Sequence, residues 1–368
     1  MSTCTWTNGN ATGLTNNDGN WSCGHVPTSA DDVVFDATST DNATADAAFD
    51  IVSLTVNSGY SGTLDLASYS HSVSGNVTFG GSGTVSLNTA TLTLAGDFNS
   101  ISQSTMTGSA STIVSNKVGA SFEMAGINIF TKYANNITFN ENAAGRFALK
   151  GTLTIASGKT FTTSSSSSMQ PSGTLANNGI LAASGSGSYN LYNLTISSIG
   201  SITAPIIFSS GGSNFTLSMP TVTFGDYVKF FNGGNYSSTF TVSFTGDATF
   251  NGDAVFDESV ASRHVAVATN NNNLTFKGNV GPGTNTSWTW TKGTGTITLA
   301  PPVSTTSQIN FNDLSVEDIE VDGAGTVQLT GGVVTDSINC INGTLDVNGQ
   351  SLETVGNFTV GAGCTVTE

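Results

Sequence analysis

The run Phe244-Thr245-Gly246-Asp247-Ala248-Thr249-Phe250-Asn251-Gly252-Asp253-Ala254-Val255-Phe256 repeats with a period of six, and its two aspartates are the sharpest candidates for chemistry in the chain. With Phe inward and Gly-Asp at the corner, one reading stacks Asp247 and Asp253 so that their carboxylate oxygens hold Ca²⁺, the hard cation that such oxygens suit. The favoured reading of both is corner capping, because a calcium site draws on about six to eight oxygens and two carboxylates fall short. No other cofactor is expected. Acids also gather at Asp257 and Glu258 and at Glu317, Asp318 and Glu320. Glycoside cleavage needs two carboxylates at a set separation across a cleft. Nothing in these spacings singles out such a pair, and solvated loop charge is the plainer reading. Arg263-His264 follows Asp257-Glu258, the one place where acid, base and cation cluster, so Asp257, Glu258 and His264 are the catalytic candidates. His25, His71 and His264 are scattered and none has metal-ligand spacing. The chain has no nucleophile elbow, phosphate-binding Gly-Lys loop or cysteine-nucleophile signature.

Trp288 and Trp290 alternate by two and therefore share one strand face. Turned outward they make a flat platform for the faces of sugar rings, a candidate ligand site; turned inward they fill the core. The four cysteines fall as two local pairs, Cys4 with Cys23 and Cys340 with Cys364. Local pairing is one of the three connectivities open to four cysteines and needs no long-range topology, so two disulfides are expected, one near each end. Cys340 and Cys364 have a second reading as small buried residues.

These residues must be positioned by a chain of unusual composition. Of 368 residues only 9% are charged and 37% are hydrophobic, with 43 glycines. That is too apolar for disorder and suits an all-β repeat protein. Nine Lys+Arg against 25 Asp+Glu give a net charge of −16. Such a balance leaves no basic stripe to neutralise phosphates, so nucleic acid is not an expected partner. No apolar run approaches the length of a membrane span, and membrane insertion is not expected. No signal peptide precedes Cys4; the start reads as a mature exported N-terminus carrying a start codon, or as a virion protein released by lysis.

The elements follow from internal repetition. Gly62-Thr63-Leu64-Asp65-Leu66 and Gly75-Asn76-Val77-Thr78-Phe79-Gly80 return near the C-terminus, at an unchanged offset, as Gly343-Thr344-Leu345-Asp346-Val347 and Gly356-Asn357-Phe358-Thr359-Val360-Gly361. A second echo relates the phrases beginning at Asn190 and Asn310. Gly-Thr plus a Leu or branched residue opens short strands at Gly62, Gly83, Gly151, Gly173, Gly295, Gly325 and Gly343, at a similar spacing within clusters. In those strands apolar residues alternate with Thr, Ser or Asp, giving one dry and one wet face. Glycine supplies corners by positive φ or close backbone approach. Such a unit, without helical crossovers, is one coil of a β-solenoid, and about fifteen coils are expected. The alternative is a string of β-sandwiches, which would need steadier turn spacing.

The expected fold is therefore all-β, a right-handed parallel β-helix over residues 31–368. A disulfide-pinned cap over residues 1–30 would contain Trp6, Trp21 and Pro27, with the first strand at Asp31 to Phe35. Residues 113–146, with Met124, Phe130, Tyr133 and Arg146, read as an irregular excursion with room for a short helix. Ser164 to Ser168 and Asn270 to Asn273 read as loops leaving the coils.

The opening Trp6, Asn20-Trp21-Ser22, Pro27 and Asp31-Asp32-Val33, the phrase at Asn193, and the Gly-Asp-Ala-Thr-Phe run together resemble repeat-built secreted adhesins of bacteria and the fibre or tailspike proteins of bacteriophages. The resemblance is spread over most of the chain and implies an extracellular, cell-surface or virion-surface location. It further implies assembly as a homo-oligomer or larger particle, and a role in structure, adhesion or receptor and glycan binding. Polysaccharide-cleaving tailspikes make a glycosidase or lyase the alternative. Thr-x-Thr strands such as Thr91-Leu92-Thr93 and Thr221-Val222-Thr223 resemble the threonine ladders of ice-binding solenoids, a remoter alternative.

Overall fold

A computed structural model describes residues 2–368 except 102–104, 108–110, 119, 126–135, 140–142, 147, 150–151, 164–165, 170–172, 186, 212–213, 234–237, 260–262 and 284–287. Among the described residues the only helix is a single 3₁₀ turn at Asp18–Asn20; everything else regular is β. The chain divides into two compact units, Met1–Gly187 and Ser188–Glu368, each a parallel β-solenoid. About 13 turns are present, fewer than the fifteen expected.

In the first unit, strands stack in three columns, so each coil is a triangle. One column runs from Thr3–Thr5 through Asp32–Phe35, Ser53–Val56, Val77–Phe79 and Phe98–Ile101. A second holds Asp50–Ile51, Ser70–Val73, Thr91–Leu94 and Thr112–Ser115. A third holds Ala43–Thr44, Thr63–Asp65, Thr84–Ser86 and Thr105–Thr107. The second unit repeats the plan, with Val228–Asn232, Thr239–Phe244 and Ala248–Phe250 as the three sides of one coil.

Inward positions of this plan are apolar, and identical inward side chains come to lie over one another at the strand spacing, about 4.8 Å. Rings therefore stack along the interior. Phe224, Phe250 and Phe276 follow at centroid separations of 5.1 and 4.7 Å, and Phe208, Phe230 and Phe256 at 5.5 and 5.2 Å. Leu64 and Leu345, equivalent in the long echo, are both buried.

Coil length varies more widely than the even spacing of the strand-opening glycines suggests. The strand holding Ile137 meets Leu153 on the next rung after a short coil, whereas Ala248 meets Leu274 only after a much longer one. The interior fixes only the three strands; a corner takes whatever length its hydrogen bonds can satisfy. The strand-opening glycines also serve differently from the simplest expectation. Among the described ones Gly343 alone has positive φ, +91°. Gly62, Gly83, Gly295 and Gly325 are small because the neighbouring coil is close: a Cβ on Gly83 would lie 2.5 Å from the Gly62 carbonyl oxygen.

Two local expectations are revised. Thr3–Thr5 already pairs with Asp32–Phe35, placing Cys4 beside Val33, so a rung precedes the expected first strand. Ser166–Met169 is a strand, with Ser167 buried and its hydroxyl 3.1 Å from that of Thr163, and not a loop. Strands Thr112–Ser115, Ala120–Ala125, Asn136–Phe139 and Ala143–Arg146 belong to the ladder, and residues 126–135, with Phe130 and Tyr133, where the expected excursion would sit, lie outside the described residues. Asn270 to Asn273 is a turn, as expected, with Asn270 and Asn271 at positive φ.

Candidate functional site: a hydroxyl-lined outer face

Asp247 and Asp253 do not stack on each other. They occupy two successive corners of one coil, on either side of strand Ala248–Phe250. Each is used by the coil above. Asn273 N–H donates to Asp247 Oδ1 at 2.8 Å, and Asn279 N–H donates to Asp253 Oδ1 at 2.8 Å. The relay continues, since Asn273 Oδ1 accepts from Thr296 N–H (3.0 Å) and Asn279 Oδ1 from Gln308 N–H (2.7 Å). In the first unit Asn76 accepts from Asp97 N–H, and Asp97 from Ser121 N–H. At a corner the backbone leaves the sheet direction and its N–H loses a ladder partner, so an Asp or Asn one coil below takes the carbonyl's place. These are the corner caps of the favoured reading; the two carboxylates sit at separate corners and do not stack as the calcium alternative required.

Trp288 and Trp290 are interior residues, 3% and 9% exposed. Trp288 stacks on Phe256 at 5.0 Å and meets Trp290 edge to face at 5.8 Å. Neither indole presents a platform for a sugar, because hiding the two rings against neighbouring aromatic rungs stabilises more than one exposed contact would.

Asp257 and Glu258 are neighbours on strand Ala254–Glu258, so their side chains leave opposite faces and their carboxylates do not converge. Asp257 Oδ2 lies 2.5 Å from Lys229 Nζ on the rung below, and that ammonium sits 4.7 Å from the Phe231 ring centroid. Glu258 is buried in register with Asn232, whose amide donates to the carbonyls of Ser238 (2.8 Å) and His264 (3.0 Å). The His264 side chain is exposed at the start of strand His264–Ala268. Asp257 thus serves an ion pair between rungs and Glu258 the interior, and the two do not form the carboxylate pair that cleavage would need.

Glu317 is a buried carboxylate that the sequence reading left among solvated acids. Trp290 Nε1–H donates to Oε2 at 2.8 Å and Gly293 N–H to Oε1 at 2.7 Å, with the Thr269 hydroxyl also on Oε1. Three neutral donors thus satisfy it. His71 is buried as well: its Nδ1 accepts from Phe49 N–H (3.1 Å) and its Nε2–H donates to the Leu66 carbonyl (2.9 Å). That pattern fits the neutral ring, and burial pushes its pKa below the usual 6.5. The Ser2 hydroxyl, with Thr28, holds the Asp31 carboxyl well below the usual range. Both expected disulfides are present, Cys4–Cys23 and Cys340–Cys364, with Cα separations of 5.0 and 5.7 Å.

What gathers on the outside is hydroxyl. Thr223, Thr249, Thr275 and Thr298 are partners in register on four successive rungs of one outer face, followed by Glu320. A shallow groove of about 410 Å³ runs over this column, lined by Asp247, Ala248, Thr249, Asn273, Thr275, Thr296, Thr298 and Glu320. Three rungs separate the Thr249 and Glu320 positions, roughly 14 Å at the strand spacing, beyond the roughly 5–9.5 Å that glycoside cleavage uses. The sequence carried a signal for this face: Val222-Thr223-Phe224, Ala248-Thr249-Phe250 and Leu274-Thr275-Phe276 recur at one constant interval. The shorter six-residue period within one coil masked it.

No family model, no curated protein and no solved structure matches this chain. Among the described residues no helix is long and apolar enough to cross a membrane.

Proposed function

We propose that this is a structural and adhesive protein of a cell or virion surface, and that it holds a neutral glycan or a glycosylated receptor against the threonine column of the second unit. The observation that carries the reading is the in-register run Thr249, Thr275 and Thr298 along the groove, which Thr223 continues by one rung beyond it. Hydroxyls at one spacing, with Asp247, Asn273 and Glu320 beside them, supply both donors and acceptors to a polyol chain. The wide separation of the two acids favours holding over cleaving. Two disulfides support an oxidising, extracellular setting.

The test is binding of the whole chain to a glycan array and to capsular polysaccharide, compared with Thr275→Val. That change keeps shape and removes one hydroxyl, and roughly tenfold weaker binding with unchanged folding is expected. Binding indifferent to the substitution would overturn the assignment of this face. Sustained release of reducing ends would replace the reading with the tailspike-type enzyme, and thermal hysteresis in freezing solution would replace it with ice binding.

A further inference from the structure

Beside the strand Thr3–Thr5 three metal-ligating side chains converge. The sulfurs of Cys4 and Cys23 and one ring nitrogen of His25 lie within 4.8 Å of one another. Among the described residues no other three Cys, His, Asp or Glu side chains come together in this way. Sequence spacing gave no sign of it, because Cys4 reaches the other two only through the pairing of its strand with the segment that carries them.

The two sulfurs are joined as Cys4–Cys23, yet the backbone around them is held without that bond. Ser22 N–H donates to the Thr5 carbonyl at 2.9 Å and Thr5 N–H donates to Ser22 Oγ at 2.9 Å, next to each cysteine. Trp6 bridges to Trp21 alongside, both indoles buried, and Cys4 stays in register with Val33 on the ladder. Opening the disulfide therefore leaves two thiols side by side, on Cα atoms 5.0 Å apart. His25 is placed by other bonds. Val26 N–H donates to Asp18 Oδ1 at 2.8 Å, and the Val26 carbonyl lies 2.9 Å from His25 Nδ1. A carbonyl oxygen only accepts, so the ring proton sits on Nδ1 and Nε2 carries the lone pair, the arrangement that orients an imidazole for a metal. Asp31 Oδ2 is 3.8 Å from the same Nδ1 but is no fourth ligand, since Ser2 and Thr28 occupy its two oxygens. The His25 side chain is 45% exposed, which leaves a fourth position to water. Two thiolates, one imidazole and an open position form a borderline-soft donor set that suits Zn²⁺.

We propose that Cys4, Cys23 and His25 bind a Zn²⁺ ion when Cys4–Cys23 is reduced, so that one segment is pinned by metal under reducing conditions and by a disulfide under oxidising ones. A dithiol opens the bond by exchange: the reductant closes into its own disulfide, and its two electrons and two protons appear as the Cys4 and Cys23 thiols. Zn²⁺ then displaces both thiol protons to solvent. Oxidation returns the two sulfurs to the S–S bond and expels the ion. Zinc binding here does not depend on the glycan reading. The test takes the whole chain, either oxidised or reduced with a dithiol and desalted without air, and titrates it with Zn²⁺ against a chromophoric chelator and separately with Co²⁺. The reduced chain is expected to take up one ion with release of protons, and to show with Co²⁺ the visible absorption of a tetrahedral site together with thiolate charge transfer. The oxidised chain should show neither. His25→Ala, at a half-exposed position whose loss leaves the Thr5–Ser22 bonds in place, should weaken zinc by roughly tenfold or more. Replacing the other pair, Cys340→Ser with Cys364→Ser, should leave uptake unchanged. A reduced chain that takes up no zinc, equal uptake by the oxidised chain, uptake indifferent to His25→Ala, or uptake lost with Cys340 and Cys364 overturns the proposal.

Discussion

Glu317 and His71 show how single residues are used in a chain with few charges. The Glu317 carboxylate is surrounded by the Trp290 indole N–H, the Gly293 N–H and the Thr269 hydroxyl, all donors. Glu317→Gln presents an amide N–H₂ to part of that set and leaves a buried donor unpaired. A loss of about 1–3 kcal/mol is expected in chemical denaturation, with no effect on glycan binding. For His71 the folded pKa lies below the unfolded 6.5, so the unfolded chain binds the extra proton. Its contribution is complete above pH 6.5 and is lost as pH falls through the folded value. Urea midpoints measured from about pH 7.5 to 5 should therefore decline; His71→Gln should flatten the decline and His264→Gln should keep it. Equal slopes in both variants would remove His71 as the source. Trp288, whose spacing allowed either a sugar platform or the core, belongs to the interior stack. Trp288→Ala is expected to cost about 3–5 kcal/mol, read by thermal or chemical unfolding, and to leave glycan binding of the folded fraction intact.

At the scale of the strand and its corners, two requirements act together. Alternation sends Leu, Val, Ile and Phe inward and Thr, Ser and Asn outward, and this much was legible from phrases such as Thr91-Leu92-Thr93-Leu94, whose burial alternates as expected. The corner requirement is less visible in sequence. Asp247, Asn273 and Thr296 are bonded one to the next although they stand far apart along the chain, and only stacked coils make such residues neighbours. Asn273→Ala would leave Thr296 N–H without its acceptor, at a cost of about 1 kcal/mol. Asn273→Asp keeps an acceptor and should restore most of the loss, which separates bonding from packing. The alternative of Asp247 stacked on Asp253 fails for the same reason that the ladder succeeds. The two aspartates face different corners, and each serves a different backbone N–H.

For the molecule as a whole, each unit has its own disulfide. Cys4–Cys23, with a sequence separation of 19, and Cys340–Cys364, with a separation of 24, each restrict the unfolded chain by about 3 kcal/mol in the chain-entropy account. Reduction is expected to lower the unfolding midpoint, and Cys364→Ser to loosen the final coil first, seen as faster amide exchange in Phe358–Thr367. Composition and repetition alone determined that the chain is all-β and coiled, that the cysteines pair locally, and that Leu64 and Leu345 face inward. These are properties of the local period and of what each residue does to water. Which residues would share a site was decided only by the stacking of coils. The lengths between strands vary from coil to coil, so the vertical neighbour of Asp247, Thr249 or Glu317 is set by three-dimensional register, a quantity that no local spacing encodes.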